Sequence, residues 1–269
     1  MAIKNKLIPI DGTVPLHKLG ASARQLSYMQ EHSEAVLELL DVLLERTYAE
    51  APRRKQSYKL RRKVRENPKD RERLLEKAIW TQWNDDEVKQ NSQPFAANTC
   101  QHVQSYQMPL QGSRSDGSWG KLDLIGVTQS GLPVVLELKR EESVEPPLRI
   151  LIEGLAYAVA VRRAWNEGSL REQWNETVTS QSRSFAAPTT LTSVPVIGIA
   201  PTNYWKRCIG TQGVRSRGKV KDSAWKPFCD LCTACGRRGF PIHFLQFSTG
   251  DEFEGLPSIE GIERVKLPR

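Results

Sequence analysis

The chain has 269 residues, of which 39% are hydrophobic and 26% are charged, and this composition is typical of a folded globular protein. That length supports one large domain, or a domain with a smaller extension. A formal net charge of +8 favours an anionic partner such as nucleic acid. The N-terminal segment lacks the apolar stretch of a signal peptide, and the most apolar helix candidate is too short to cross a bilayer. We therefore expect a cytoplasmic protein with no membrane partner.

The first part of the chain, residues 1–67, predicts a helical and basic extension. Apolar residues recur at helical spacing from Ser22 to about Ala49. The segment 51–65 follows with eight basic residues and no acidic one, which favours contact with phosphates, although a solvated linker or helix face has the same composition. The basic residues of this segment are Arg53, Arg54, Lys55, Lys59, Arg61, Arg62, Lys63 and Arg65.

A helix is predicted from about Lys69 to Trp83, because Pro68 precedes a stripe of apolar residues at helical spacing. Glu72 and Glu76 are four residues apart and therefore share a face of this helix. A strand is predicted next, over residues 102–110, and a polar loop over residues 111–119 leads into the segment that carries most information.

Residues 120–140 predict a β-hairpin of two apolar strands around a turn at 129–131. Three charged residues, Asp123, Glu137 and Lys139, interrupt these strands. Side chains alternate along a strand, so Glu137 and Lys139 share one face. If the hairpin is centred on Ser130, residues pair when their numbers sum to 260, and Asp123 lies opposite Glu137.

Two opposed carboxylates in apolar strands repel each other and are costly to remove from water. A hard divalent cation offsets that cost, and oxygen ligands suit Mg²⁺ or Mn²⁺. The alternative is an ordinary hairpin with one solvated, charged face. Both strands are apolar on both faces, which favours a covered hairpin with a metal site.

An Asp, a short turn and then Glu-x-Lys at the end of an apolar strand resembles the PD-(D/E)XK nuclease superfamily, which has the restriction-endonuclease-like fold. Asp123, Glu137 and Lys139 match its signature positions, although Leu122 stands where the family often has proline. The resemblance implies an α/β fold with a mixed central sheet flanked by helices. It also implies Mg²⁺, or Mn²⁺, held by Asp123, Glu137 and the Leu138 carbonyl, with Lys139 assisting hydrolysis of DNA and with Glu72, Glu76 or neither completing the metal site.

The remainder of the chain predicts a buried helix from Leu148 to about Trp165, in which Glu153 and Tyr157 take positions comparable to a Gln and Tyr pair of many relatives. A variable loop is expected over residues 168–193, a strand over 194–200, a helix over 227–235, a strand over 241–247 and an irregular tail over 249–269. A basic loop after residue 200 is expected to contact nucleic acid together with Arg140; its basic residues are Lys206, Arg207, Arg215, Arg217, Lys219 and Lys221.

The five cysteines do not predict a disulfide framework, because the number is odd and the expected compartment is reducing. Cys229, Cys232 and Cys235 form the single cluster and, with Cys208, could bind zinc or an iron–sulfur cluster. Their spacing of three also fits one side of a helix, where free cysteine packs as a small hydrophobic residue. We favour the packing interpretation.

The resulting division is an N-terminal extension over 1–67, a nuclease-like core over 68–248 and a C-terminal tail. The leading function is a Mg²⁺-dependent nuclease that acts on DNA rather than RNA. A non-catalytic nucleic-acid-binding protein of the same fold and a thiolate-metal protein are the alternatives. A homodimer and a larger defence or repair complex both remain open as assemblies.

Overall fold

The computed structural model describes most of the chain and positions one mixed sheet between helices. The described residues are 10, 12–20, 23–53, 58, 60, 70–91, 93–111, 119–178, 187–210, 219–253 and 255–268.

Nine α-helices are found among the described residues. They are α1 (Ala23–Glu31), α2 (Ser33–Glu38), α3 (Leu40–Glu50), α4 (Arg71–Trp83), α5 (Asp85–Asn91), α6 (Pro147–Asn166), α7 (Ser169–Thr177), α8 (Thr202–Ile209) and α9 (Trp225–Arg237).

Six strands form a single sheet in the described part of the chain, and their spatial order follows their sequence order. The first three strands are antiparallel, the third to the fifth are parallel, and the sixth is antiparallel to the fifth. Because parallel neighbours need a crossover, α6 connects the third strand to the fourth. The strands are β1 (His102–Pro109), β2 (Lys121–Val127), β3 (Pro133–Leu138), β4 (Val196–Pro201), β5 (Ile242–Phe253) and β6 (Leu256–Arg264).

Helices cover both faces of the sheet, as the apolar hairpin predicted. Leu136 and Leu138 pack on the face that Ile79 of α4 covers. Val135 lies in the other apolar cluster, with the buried residues of α6 and of the N-terminal helices. The molecule is therefore a mixed α/β structure of three layers, with β3 at its centre.

Most predicted elements are found close to their expected bounds, and three predictions are wrong. The segment from 168 begins with α7 rather than a loop, because Leu170 and Trp174 bury one face of it. Lys206 and Arg207 belong to helix α8 and not to a loop. The tail is not irregular, since it completes β5 and forms β6.

The predicted N-terminal extension is helical where it is described and forms three short helices. It packs into the main core: Met29 and Leu40 are fully buried beside residues of α6 and α9. Over the residues that the structure covers, no helix combines the length and apolar character required to cross a membrane.

Candidate metal and active site

The register predicted for the hairpin is confirmed along the β2–β3 ladder. Leu124 pairs with Leu136 and Val127 pairs with Pro133, so the numbers of each pair sum to 260. Asp123 and Glu137 stand one residue further along the two strands, where the ladder ends. The Leu138 amide instead donates a hydrogen bond of 3.0 Å to Oδ2 of Asp123. The aspartate side chain therefore lies directly beside the end of β3.

Lys139 continues β3 and lies between two carboxylates. Its Nζ donates to Oε1 of Glu137 at 2.8 Å and to Oε2 of Glu153 on α6 at 2.7 Å. Arg149, one turn earlier on α6, is 2.5 Å from the other oxygen of Glu153. The sequence had marked Glu153 only by its position along the helix. The structure brings it to the lysine.

Gly154 explains why α6 comes close enough to β3 for this contact. A Cβ atom at this position would stand 2.6 Å from Cγ1 of Val196 and 3.5 Å from Cβ of Glu137. A contact of 2.6 Å is not possible without movement of the neighbouring strand, so a larger residue would separate helix and sheet. The glycine thus sets the distance between Glu153 and Lys139.

Both glutamates predicted on the first core helix lie near the site, in different environments. Glu76 of α4 is only 1% exposed, and both of its oxygens accept hydrogen bonds from Nε2 of Gln107, at 2.8 and 2.7 Å. Glu72 is partly exposed, one turn earlier on the same helix. Burial raises the pKa of Glu72 above its ordinary value.

The acidic side chains at this site carry more charge than the basic side chains around them. Burial raises the pKa of Asp123 to about 7, although Lys139 opposes the shift. Burial and the charge of Asp123 together raise the pKa of Glu76 to about 9. The same two causes raise the pKa of Glu137 well above its usual range. These carboxyls therefore hold their protons to higher pH than a carboxyl in water does.

Lys139 and Glu153 of α6 form a close ion pair, and their pKa values shift in the directions that favour the ionised forms. Burial alone would lower the pKa of Lys139, but Glu137 and Glu153 raise it well above its ordinary value. Burial would likewise raise the pKa of Glu153, yet Lys139 and other groups hold it below the ordinary value. Lys139 is therefore a permanent cation in this structure.

One buried oxygen at the centre of the site has no partner. Oε2 of Glu137 accepts no hydrogen bond from a donor group of any described residue, and the side chain is only about 2% exposed. The carboxyls of Glu137 and Glu153 also lie within hydrogen-bonding reach of each other, and this contact contributes to the raised pKa of Glu137. A buried carboxylate oxygen without a partner carries a desolvation cost that a cation or a bound water would offset. Across the part of the chain that the structure describes, no group of three or more His, Cys, Asp or Glu side chains has an arrangement that could hold a metal ion.

Nine of the residues predicted to contact nucleic acid lie outside the described residues. They are Arg54, Lys55, Lys59, Arg61, Arg62, Lys63, Arg65, Arg215 and Arg217.

Among the described basic residues, Arg140 and Lys206 are exposed near the end of β3 and on α8. Arg207 donates to the carbonyls of Glu141 and Ser143, so it ties α8 to the loop after β3. This guanidinium has a structural task that the sequence did not reveal.

Of the three remaining described basic residues of the predicted footprint, Lys221 lies 2.7 Å from Glu31, and the other two make long ion pairs. Arg53 stands 3.7 Å from Glu167. Lys219 stands 3.8 Å from Asp222. Exposed pairs at such distances contribute little to stability and leave both cations accessible to an anionic partner.

The cysteine cluster lies on helix α9, as the packing interpretation predicted. Cys235 is fully buried, Cys229 and Cys232 are partly exposed, and none of the five described cysteines forms a disulfide. Burial raises the pKa of Cys235 to about 12, which keeps the thiol protonated. The three thiols lie on one continuous helix that spreads them around its axis, and this geometry favours packing over a shared metal ion.

Sequence reasoning missed Gln107, which makes the closest contact to Glu76. A glutamine in a strand carries no signal of its own, and the sequence does not specify the β1–β2 register that brings it near Asp123.

Comparison of the chain with protein-family models, with curated proteins and with solved structures found no match.

Proposed function

We propose that this protein is a metal-dependent nuclease that hydrolyses phosphodiester bonds of DNA, and that its sheet is a variant of the restriction-endonuclease-like fold. The observation that carries the proposal is the convergence of Asp123, Glu137 and Lys139 at the end of one hairpin, where the buried Oε2 of Glu137 has no hydrogen-bond partner. The choice of DNA and of this fold rests on the resemblance of these residues to the PD-(D/E)XK motif.

The donor chemistry of the site fits Mg²⁺ or Mn²⁺. Asp123 and Glu137 would hold the ion, with the Leu138 carbonyl as a third candidate ligand. Mg²⁺ keeps several waters and is commonly bound through one or two carboxylates together with substrate phosphates, so two protein carboxylates are sufficient. A cation would also favour the ionised form of the carboxyls, whose pKa values burial raises. When bound, such an ion lowers the pKa of a coordinated water and neutralises charge on the phosphate.

Lys139 contributes a fixed positive charge to the reaction. The phosphate gains negative charge as it is attacked, and a preorganised cation in a site of low dielectric stabilises that charge. Glu153 and Glu137 hold the ammonium group in place with bonds of 2.7 and 2.8 Å, so its position is set before substrate arrives. Glu153 is thus a positioning residue for Lys139.

Binding of the nucleic acid is proposed to depend on basic residues around the site. Arg140 follows Lys139 directly and is exposed, and Lys206 is exposed on α8. The basic run over residues 53–65, predicted from sequence, would extend this footprint. Contacts of this kind bind the phosphate backbone without reading sequence and weaken as salt increases.

The direct test is incubation of the purified protein with linear and circular DNA, single- and double-stranded, and with RNA, in the presence of Mg²⁺, Mn²⁺ or EDTA. The proposal expects cleavage of DNA with either ion and none with EDTA. Binding of DNA without cleavage of any substrate would favour the non-catalytic alternative. Cleavage that persists in EDTA would overturn the metal-dependent mechanism.

A further inference from the structure

Gln107 adopts a backbone conformation that is unusual for its type. Its φ of 51° lies in the left-handed region, inside strand β1, between Tyr106 and Met108, which both pair with β2. Residues with a side chain rarely adopt this region, and such conformations persist only where the surroundings enforce them. The local backbone therefore requires an explanation beyond strand formation.

The side chain of Gln107 suggests what that conformation achieves. Nε2 donates to both oxygens of Glu76, at 2.8 and 2.7 Å, and the glutamine is itself only 8% exposed. An amide shared by two carboxylate oxygens restrains the carboxylate group as a whole, because movement of either oxygen lengthens a hydrogen bond. Gln107 and Glu76 are 31 residues apart, so the contact depends on the tertiary structure.

The same strand register places Gln107 beside Asp123. Tyr106 pairs with Leu124 and Met108 pairs with Leu122, so Gln107 and Asp123 occupy matching positions on β1 and β2. Besides burial, the charge of Asp123 raises the pKa of Glu76, and the charge of Glu72 likewise raises the pKa of Asp123. Gln107 thus stands next to the carboxylate proposed as a ligand while it restrains a second carboxylate.

We infer that Gln107 is a positioning residue that holds Glu76 of α4 toward Asp123, so that Glu76 supports the two carboxylates proposed as ligands. This inference rests on the proposed function. Glu76 would act beside the ligands, through a water of the bound ion, in the manner of the outer groups that surround many metal sites. No corresponding glutamine restrains Glu72 among the hydrogen bonds of the described residues, and that side chain is partly exposed.

The test separates the backbone of residue 107 from its amide. Gln107→Gly removes the amide but accepts a positive φ without strain, so the strand is expected to keep its course. Gln107→Leu removes the amide and keeps most of the side-chain volume. Gln104→Leu is the matched control, because it removes an equally buried glutamine amide, 8% exposed, from the same strand.

The readout is the affinity of each purified variant for Mn²⁺ alone, measured by titration calorimetry or by electron paramagnetic resonance of the unbound ion. Loss of an outer group that orients a ligand typically weakens metal binding by about 10- to 100-fold. We expect a loss of this size in Gln107→Gly and in Gln107→Leu, and a change of less than about twofold in Gln104→Leu. Glu76→Gln should lose affinity to the same degree, and Glu72→Gln should lose much less.

A double variant tests whether the two residues act as a unit. If Gln107 acts through Glu76, Gln107→Gly combined with Glu76→Gln should lose no more affinity than Glu76→Gln alone. In cleavage assays with saturating metal, Gln107→Gly should lower kcat with little change in KM for DNA, since the glutamine is too buried to touch substrate.

The outcomes distinguish this inference from the proposed function. Wild-type binding of Mn²⁺ that Gln107→Gly leaves within twofold would overturn the inference and leave the proposed function intact. Losses that add fully in the double variant would assign Gln107 a role independent of Glu76 and would also overturn it. A wild-type protein that binds no Mn²⁺ would overturn the proposed function and the inference together.

Discussion

The end of the β2–β3 hairpin and the cysteine-bearing helix α9 both carry residue types that could bind a metal, and they differ in how the side chains are presented. At the hairpin, Asp123, Glu137 and Glu76 come from two strands and a helix and interact through their charges. On α9, the thiols come from a single helix. A helix rotates side chains three residues apart by about 300°, so the outer two of three such residues diverge by about 120°.

Residue type and spacing are weaker evidence for a metal site than the convergence of side chains from separate elements. Ligands of one ion must meet at one point, and two strands can direct the two proposed ligand carboxylates to one point, whereas a straight helix spreads its three thiols apart. The direction of the pKa shifts does not separate the two regions, because burial raises the pKa of Asp123 and of the Cys232 thiol alike. The difference between them is geometric.

The largest expected effect that sharpens this comparison is on cleavage. Asp123→Asn and Glu137→Gln should each reduce the cleavage rate by about 1,000-fold, a loss of about 4 kcal/mol of transition-state stabilisation, because each removes a proposed ligand. The matched control is Glu45→Gln, which neutralises an exposed carboxylate on α3 and should leave the rate unchanged. Full activity in either site variant would show that the hairpin carboxylates are not the active site.

The next effect concerns stability at Lys139. Lys139→Met should lower the free energy of unfolding by about 3 kcal/mol at pH 8, because it removes the ammonium group that donates hydrogen bonds to both Glu137 and Glu153. Adding Glu137→Gln should recover part of the loss, since Glu153 is then the one carboxyl that lacks this partner. Urea denaturation measures both values. If Lys139→Met alone is as stable as the wild type, the ion pair is not buried in solution.

A third effect is the pH dependence of stability without metal. Asp123 and Glu76 have pKa values raised to about 7 and about 9, so the folded state holds these protons after the unfolded chain has lost them. The contribution of these two carboxyls to the free energy of unfolding is fully present below their unfolded-state pKa values, near 4. It is lost as the pH rises toward 7 and then 9.

Thermal denaturation in EDTA should therefore give a lower melting temperature at pH 8 than at pH 5. Glu76→Gln should reduce that difference, with a gain on the order of 2 kcal/mol at pH 8. Mg²⁺ should raise the melting temperature of the wild type at pH 8 far more than at pH 5. A wild-type melting temperature that rises from pH 5 to pH 8 in EDTA would contradict the assigned environment of these carboxyls.

The smallest effect is expected at the other region. Cys232→Ser should change the free energy of unfolding by about 1 kcal/mol or less and should leave cleavage intact, because the thiol packs on the helix surface and takes no part in the reaction. Elemental analysis of the wild type is expected to find no stoichiometric zinc or iron. About one zinc per chain, or the absorbance of an iron–sulfur cluster, would indicate that the cysteines of α9 form a metal site.

Much of the fold and part of the site were readable from the sequence, for physical reasons. The turn at Ser130 specified the hairpin register, since a short turn fixes which residues of the two strands pair. The role of Gln107 was not readable, because it depends on a positive φ and on a partner 31 residues away. β6 was missed because all but one of its residues are partly or fully exposed and its sequence lacks apolar alternation.

The most direct test of the central claim is the position of a bound ion. Crystals grown or soaked with Mn²⁺ should give an anomalous difference peak between the carboxylates of Asp123 and Glu137, and crystals of Glu137→Gln should lose it. A wild-type peak at α9, or a peak at the hairpin that persists unchanged in Glu137→Gln, would contradict the account.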